Sequence, residues 1–323
     1  MERSDSVDEQ FVRDTDAYRR ELLVHCYRML GSVHDAEDLV QETYLRAWRA
    51  YDDYDARRSS MRTWLYRIAT NACLTALDQR SRRALPSGLG APGNDPEGPL
   101  RPDLPELTWL QPLPDSTDPA AVAESREGLR LALVAAFQHL PPRQRAVLIL
   151  RDVLGWRAAE VAELVGTSTA AVNSALQRAR ALLDRVAPRP DEVPELTDTE
   201  QKELVERYAT AFEHADMTAL TALLAEDAVW EMPPVPDWFR GRDTIVRLIA
   251  FRCPLFPDGG RTILTGANGQ PACALYVPDG TGGYEAHSLM VLTFSGPAVA
   301  KVTDFQDVSL FATFGLPLRV PAA

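Results

Sequence analysis

Apolar positions recur at helical spacing through the first eighty-odd residues. Over 18–30, Leu22, Cys26, Met29 and Leu30 fall on one face, and Gly31 is placed to end the helix. Over 35–48, Ala36, Leu39, Val40, Thr43, Ala47 and Trp48 share a stripe, opposite Asp35, Glu37, Asp38, Gln41, Glu42, Arg46 and Arg49. That charged face reads as solvated surface or as a contact surface. A loop at 51–60 precedes a long helix expected over 61–83, with Trp64, Leu65, Ile68, Ala72 and Leu77 available for the core.

Periodicity vanishes over 86–119, about 34 residues dense in Pro and Gly, which read as a linker separating domains. Helical spacing returns at 131–140, 143–153, 157–165 and 168–183. The last two flank Gly166-Thr167 in a helix-turn-helix pattern, with Val161, Ala162 and Val165 facing Val172, Leu176 and Ala179. A short Pro-rich break at 187–194 leads to helices over 198–224. Strand-like pieces follow at 228–232, 272–277, 287–294 and 299–305, with a helix at 242–252 between the first two. This order predicts an α+β layer in which a curved sheet wraps a helix.

At 323 residues the chain holds two or three domains at about 100–200 residues each. Its 46% hydrophobic content is too high for wholesale disorder. The acidic start and the absence of a long apolar run predict a cytoplasmic protein without signal peptide or membrane span. Cys26, Cys73, Cys253 and Cys273 share no CxxC spacing, so neither a disulfide framework nor a zinc ribbon is indicated; no metal and no cofactor are expected. The net charge of −12 hides a pattern: −1 over 1–85, −5 over 86–120, +4 over 121–190 and −10 over 191–323. A basic segment therefore lies between acidic ones.

Two segments have chemistry suited to nucleic acid. Arg62, Arg67, Arg80, Arg82 and Arg83 interleave with Tyr51, Tyr54, Trp64 and Tyr66, combining phosphate neutralisation with faces on which unpaired bases stack. The outward face of 168–183 presents Ser168 as N-cap, then Thr169, Ala170, Asn173, Ser174, Gln177 and Arg178. Small residues let a helix N-terminus approach the major groove, amide and hydroxyl groups meet base edges, and Arg178 or Arg180 meets phosphate. The alternative is a helical hairpin that serves only as core.

The run EDLVQETYLRAWRAYDDYD followed by MRTWLYRIATNACLTALDQRSRR resembles region 2 of extracytoplasmic-function (ECF) sigma factors of RNA polymerase, over about residues 14–84. The run LPPRQRAVLILRDVLGWRAAEVAELVGTSTAAVNSALQRARALL looks like sigma region 4. The resemblance implies an α-helical region 2 at 14–85, a linker at 86–120 and a region 4 helix-turn-helix at 121–187. It implies core-polymerase contacts at Asp35, Glu37, Asp38, Gln41, Glu42 and Arg46. Promoter −10 contacts are implied at Tyr54, Asp55, Arg62, Trp64, Arg67, Asn71, Arg80, Arg82 and Arg83. Contacts to the −35 element fall on Ser168, Thr169, Ala170, Asn173, Ser174, Gln177 and Arg178. The linker is longer and richer in proline than in common members.

Residues 198–318 continue past the usual end of the family. LLAEDAVWEMPPVPDWFRGRDTIVRLI, ANGQPACALYV and KVTDFQDVSLFATFGLP resemble the SnoaL-like members of the NTF2-like cone fold. That implies an apolar pocket, with Trp230, Met232, Trp238, Phe239, Asn268, Tyr276, His287 and Asp304 as lining candidates for an unidentified small molecule. The resulting expectation is a sigma factor, not an enzyme, whose partners are core polymerase and promoter DNA and whose acidic tail regulates it by docking on region 2 or on the basic segment. The rival is a cyclase or isomerase using His287 and Asp304, tethered to a DNA-binding module.

Overall fold

The computed structural model describes residues 2–78, 82–115, 130–186, 196–253 and 259–321. The chain divides into two compact units, Met1–Arg83 with Leu131–Pro188, and Ala84–Arg130 with Arg189–Ala323. The 86–119 segment, expected to be a spacer, is thus part of the second unit as far as it is described.

In the first unit, α1 (Glu2–Thr15), α2 (Arg19–Leu30), α3 (Val33–Arg49) and α4 (Met61–Leu77) precede α5 (Leu131–Phe137), α6 (Pro142–Leu148), α7 (Ala158–Val165) and α8 (Thr169–Val186). Gly31 ends α2 in the left-handed region, and Ser32 then caps α3 by accepting the Asp35 N–H at 3.2 Å. The α3 stripe facing inward is Val33, Ala36, Val40, Thr43 and Ala47. Trp48, expected in the core, is 47% exposed. It follows Ala47 directly and so lies about 100° around the helix from the buried stripe. The expected helix over 61–83 stops at Leu77, which leaves Arg82 and Arg83 outside it. A π-helical turn, Ile149–Val153, extends α6. Gly166, at φ 66, turns the chain between α7 and α8, and the Thr167 N–H bonds the Ala162 carbonyl at 2.8 Å. Helices α5 to α7 pack back against α2 and α4.

The second unit contains α9 (Asp198–Glu213), α10 (Met217–Leu223), α11 (Arg242–Arg252) and the short α12 (Leu310–Thr313). Two short strands, β1 (Arg83–Ala84) just before the linker and β2 (Thr108–Trp109) within it, pair with each other. A seven-stranded sheet is built from β3 (Leu224–Glu231), β4 (Trp238–Arg240), β5 (Arg261–Ala267), β6 (Gln270–Pro278), β7 (Tyr284–Ser295), β8 (Ala298–Phe305) and β9 (Arg319–Val320). Its order is β4-β3-β8-β7-β6-β5, with β9 on β7, and β3–β8 is the parallel pair. Strands β4, β5 and β9 lie outside the expected set. The Asn268-Gly269 turn joining β5 to β6 has φ of 59° and 68°, which is type I′ hairpin chemistry. One face of the sheet closes on α9, α10 and α11 through Tyr208, Phe212, Trp230, Leu248, Met290 and Val302.

The linker lies along this unit as a strap. Ser87 N–H donates to Glu231 at 3.1 Å, Gly93 N–H to the Trp238 carbonyl at 2.7 Å, and Trp238 Nε1 to the Gly90 carbonyl at 3.1 Å. Arg101 clasps Asp237 and the Pro236 carbonyl. Arg252 reaches the Pro96 and Gly98 carbonyls, while Arg247 pairs with Glu97. At its far end, Leu113 exchanges two 2.9 Å bonds with Asn268, and Asp115 accepts from Gly269 N–H at 2.7 Å. A Cβ on Gly266 would stand 2.4 Å from an Asp115 oxygen, so glycine permits this approach.

Glu231 is fully buried and holds the other end. It accepts from Lys301 Nζ at 2.8 Å and from the Thr303 hydroxyl at 2.9 Å, as well as from Ser87. Burial opposes its charge, but Lys301 and the Ser87 N–H outweigh that and hold the carboxyl below the ordinary value of 4.5. A depressed folded pKa stabilises above the unfolded pKa and ceases to do so as pH falls through the folded value. Glu231→Gln is therefore expected to cost about 2 kcal/mol at neutral pH, less than a fully enclosed pair because Lys301 is partly exposed. The gap between wild type and variant in thermal unfolding should shrink as pH falls below the ordinary value of 4.5 and on through the lower folded value; a gap independent of pH would contradict the assignment.

Candidate functional site

The charged face of α3 exposes Glu37, Asp38, Gln41 and Arg46, with Asp35 and Glu42 half-buried. Arg46 pairs with Glu42 at 2.8 Å one turn away, and Asp35 pairs with Arg83 at 2.5 Å. Leu45 and Trp48, 49% and 47% exposed, stand among them. This adds an apolar element to the face: periodicity assigned Leu45 to neither side and Trp48 to the buried stripe. A charged helix face bearing exposed Leu and Trp has the make-up of a protein contact.

The second candidate surface is the loop from Tyr51 to Ser60 with α4. Tyr51 and Tyr54 stack at 6.5 Å with planes 8° apart, and Tyr54 packs on Trp64 at 5.0 Å. Trp64 is buried and supports Tyr54 from beneath, rather than standing out as a contact. The Tyr54 hydroxyl donates to the Ser59 carbonyl at 3.1 Å, and Asp55 turns the loop by accepting from Arg57 N–H. Asn71 and Arg82 are exposed and Arg67 is half-buried. Three of the expected DNA-contacting arginines already have partners inside the unit. Arg62 pairs with Glu21 at 2.8 Å and lies over the rings of Tyr66 and Trp156, at 5.0 and 5.9 Å. Arg82 bonds His139 at 2.7 Å, and Arg83 bonds Asp35. Arg80 lies outside the described residues.

On α8, Ser168, Thr169, Ala170, Asn173, Ser174, Gln177 and Arg178 are all exposed, while Val172, Leu176 and Ala179 are buried. Ser168 caps the helix by accepting from Ala171 N–H at 3.2 Å. A cavity of about 450 Å³ opens on this face, lined by Arg151, Asn173, Leu176, Gln177, Arg180, Ala181 and Asp184. Arg180, a phosphate candidate, is held by Asp152 through two bonds of 2.7 and 2.8 Å, which leaves Arg178 as the better-placed cation.

Arg145 joins the two halves of the unit, and nothing in the sequence distinguishes it from the other arginines of the basic segment. It is 3% exposed; its guanidinium donates to Met29 O near the end of α2, to the Gln138 side chain and carbonyl, and to Leu140 O. Gln138 in turn donates to Val134 O at 3.2 Å and lies at the edge of bonding range, 3.5 Å, from Arg28 O. Burial lowers Arg145 to about 10, so it keeps its charge at neutral pH. Trp156, buried after the Gly155 turn, packs its ring 5.3 Å from that of Tyr66 on α4.

In the second unit the eight pocket candidates separate. Trp230, Met232 and Phe239 join the core face. Asp304 shares it, because β8 residues alternate and Val302 points there. Among the described residues Trp230 Nε1 is buried without a hydrogen-bond partner; burial raises the Asp304 carboxyl, and hydrogen bonding from Ser288 and Gln306 opposes that shift. His287 is the extra residue of a bulge between Leu275↔Ser288 and Tyr276↔Ala286, within electrostatic reach of Asp304. Tyr276 faces away, since Cys273 and Leu275 take the inward positions of β6. Its hydroxyl bonds Pro317 O at 3.0 Å, and its ring meets Phe311 edge-on. Asn268 and Trp238 grip the strap. Among the described residues no cluster of three or more His, Cys, Asp or Glu could hold a metal, and no helix is long and apolar enough to cross a membrane.

Comparison with known proteins divides the chain in the same sequence of parts. Residues 15–83 match the Sigma-70 region 2 family, 130–183 match Sigma-70 region 4, and 205–309 match the SnoaL-like domain. The ECF RNA polymerase sigma factor SigG of Mycobacterium tuberculosis is 52% identical over 95% of this chain and 84% of its own length. SigJ of the same organism is 29% identical over 95% of both chains. The crystal structure of Mycobacterium tuberculosis SigJ superposes with a TM-score of 0.64 at 26% identity, covering 95% of this chain and 99% of that one. The assembly is that of a sigma-70-type transcription initiation factor carrying a SnoaL-like domain. The chain belongs to the ECF RNA polymerase sigma factors, and the relatives that match along its whole length are initiation factors, not enzymes.

The Arg145 junction makes a direct prediction. Arg145→Met strands the Met29 and Leu140 carbonyls in the interior and should destabilise the first unit by about 3 kcal/mol. Chemical unfolding followed by amide exchange in α2 and α6 measures it. Arg143→Met, at an exposed position, should change stability by under about 0.5 kcal/mol.

Proposed function

We propose that the chain binds bacterial core RNA polymerase in the cytoplasm and directs initiation at promoters with −10 and −35 elements. The α3 face with Leu45 and Trp48 takes the polymerase, the 51–60 loop and α4 take the −10 strand, and the N-terminal half of α8 enters the major groove of the −35 element. The observation that carries this reading is the recognition helix: every residue suited to base or phosphate contact is exposed, on a helix whose other face is buried in the helix-turn-helix.

The same geometry requires a change of arrangement. Elements named −35 and −10 lie about 25 base pairs apart, roughly 85 Å at 3.4 Å per pair. An 18-residue helix is only about 27 Å long. With α5 to α7 packed on α2 and α4, regions 2 and 4 are too close to occupy both elements, so region 4 must leave region 2 on the promoter. Leaving also withdraws Trp156 from Arg62 and exposes that arginine to the DNA backbone. The C-terminal unit regulates this step by gripping residues 84–115 of the chain that connects the two regions.

Run-off transcription with core polymerase on genomic fragments, with 5′ ends mapped, tests the reading; discrete start sites are expected, and their absence despite polymerase binding would refute it. On a promoter so mapped, Gln177→Ala should cost about 1–3 kcal/mol and relax specificity at one position. Arg178→Ala should weaken binding to all sequences and reduce the salt slope by about one. Asn268→Gly keeps the turn geometry and the backbone bond to the Leu113 carbonyl but removes the side-chain bond to the Leu113 N–H, and should raise transcript yield. An unchanged yield at every salt concentration would remove the regulatory role of the strap.

A further inference from the structure

The N-terminal helix α1 ends where the Sigma-70 region 2 match begins, so Phe11 and Asp14 fall outside it. Both side chains nonetheless converge on Tyr51, the first residue of the loop before α4. Phe11 is 6% exposed and meets the Tyr51 ring edge-on at 5.2 Å and 83°, and the Tyr44 ring at 6.1 Å. The Tyr51 hydroxyl donates to Asp14 Oδ2 at 2.5 Å, while Gln10 steadies the other oxygen at 2.8 Å. The end of α1 is itself anchored: the Tyr44 hydroxyl donates to the Thr15 carbonyl at 2.8 Å. Tyr51 then stacks on Tyr54, and Tyr54 packs on Trp64 of α4. A continuous train of aromatic contacts thus runs from α1 to the helix that follows the loop.

We infer that Phe11 and Asp14 are positioning residues for promoter strand capture: they fix Tyr51, and through it the Tyr54 ring and the 52–59 loop, in the geometry that receives an unpaired base. The inference rests on the reading that this loop and α4 take the −10 strand. Its physical content is preorganisation. A loop with Asp52, Asp53, Asp55, Arg57 and Arg58 exposed to solvent has little apolar contact of its own to hold it. Without the α1 anchor, its ordering would be a cost of binding, of the size that immobilising one or two side chains incurs. The Asp14–Tyr51 bond supplies direction as well as packing. It holds the Asp14 carboxyl below its usual range, and burial together with Asp14 pushes the Tyr51 phenol up to about 12.

The test uses full-length chain assembled with core polymerase and a labelled single strand spanning the −10 region of a promoter mapped by run-off transcription. Phe11→Ala and Asp14→Ala should each weaken capture of that strand by about 3- to 10-fold. Affinity for core polymerase and for a −35 duplex should stay unchanged, and amide exchange over 52–59 should quicken. Asp14→Ala and Tyr51→Phe sever the same bond, so the double variant should be no weaker than the worse single one. Strand capture equal to wild type in both single variants, or losses that add in the double variant, would overturn the inference. So would a parallel loss of polymerase affinity, which would mark a general defect of region 2. If wild-type holoenzyme itself failed to capture the strand, the assignment of the −10 surface would fall first and take this inference with it.

Discussion

A buried guanidinium with no carboxylate partner among the described residues organises the first unit of this molecule. Arg145 remains charged in an interior that disfavours charge, and it is tolerated because four acceptor bonds converge on it. One of these acceptors, the Met29 carbonyl, lies in the last turn of α2, where helix geometry leaves carbonyls without intrahelical partners. Region 4 thereby completes the end of a region 2 helix. The interface combines specificity with modest strength, because each bond can be exchanged for water once the two regions part. An initiation factor that must hold its regions together in one state and apart in another needs this type of contact, rather than a large apolar core shared between them.

The second unit applies the same principle to the linker. Its proline- and glycine-rich sequence forms little ladder of its own beyond the two-residue β2, so backbone groups are satisfied by side chains of the unit beneath: Glu231, Asn268, Arg252 and Asp237. These are polar, reversible contacts arranged at both ends of the strap. The core face of the sheet is separate from them, and its Trp230 Nε1 has no hydrogen-bond partner among the described residues, so the interior of the cone is not fully satisfied. Grip on the linker and the cone interior are therefore distinct properties of one domain, joined through neighbouring strands: Glu231 adjoins Trp230 on β3, and Thr303 adjoins Asp304 on β8.

Much of the fold class was legible in the sequence, because amphipathic spacing decides which face of α3, α8 and α9 is buried. The recognition helix is the clearest case, since burial of Val172, Leu176 and Ala179 leaves one outward face. Legibility fails where contacts are polar or parity decides the outcome. Trp48 lies one residue off its stripe. Tyr276 points away from the core because strand residues alternate. The linker carries no period to read. The Asn-Gly at 268–269 was a usable hairpin signal and would have located β5 and removed Asn268 from the pocket set. Arg145 had no signal at all: its role arises from where α6 meets α2, a long-range fact that local pattern does not encode. Likewise α1 offers only Phe11 and Val12 in its last turns, and the meaning of Phe11 depends on Tyr51, forty residues later.

The proposed function requires region 4 to separate from region 2. Spectroscopic labels at two exposed positions, Thr75 on α4 and Glu163 on α7, report that separation directly. The distance should be short in the free chain and lengthen by tens of ångströms, toward the roughly 85 Å set by the promoter elements, in the complex with core polymerase and promoter DNA. A transcribing complex in which the two labels remain at their free-chain distance would contradict it.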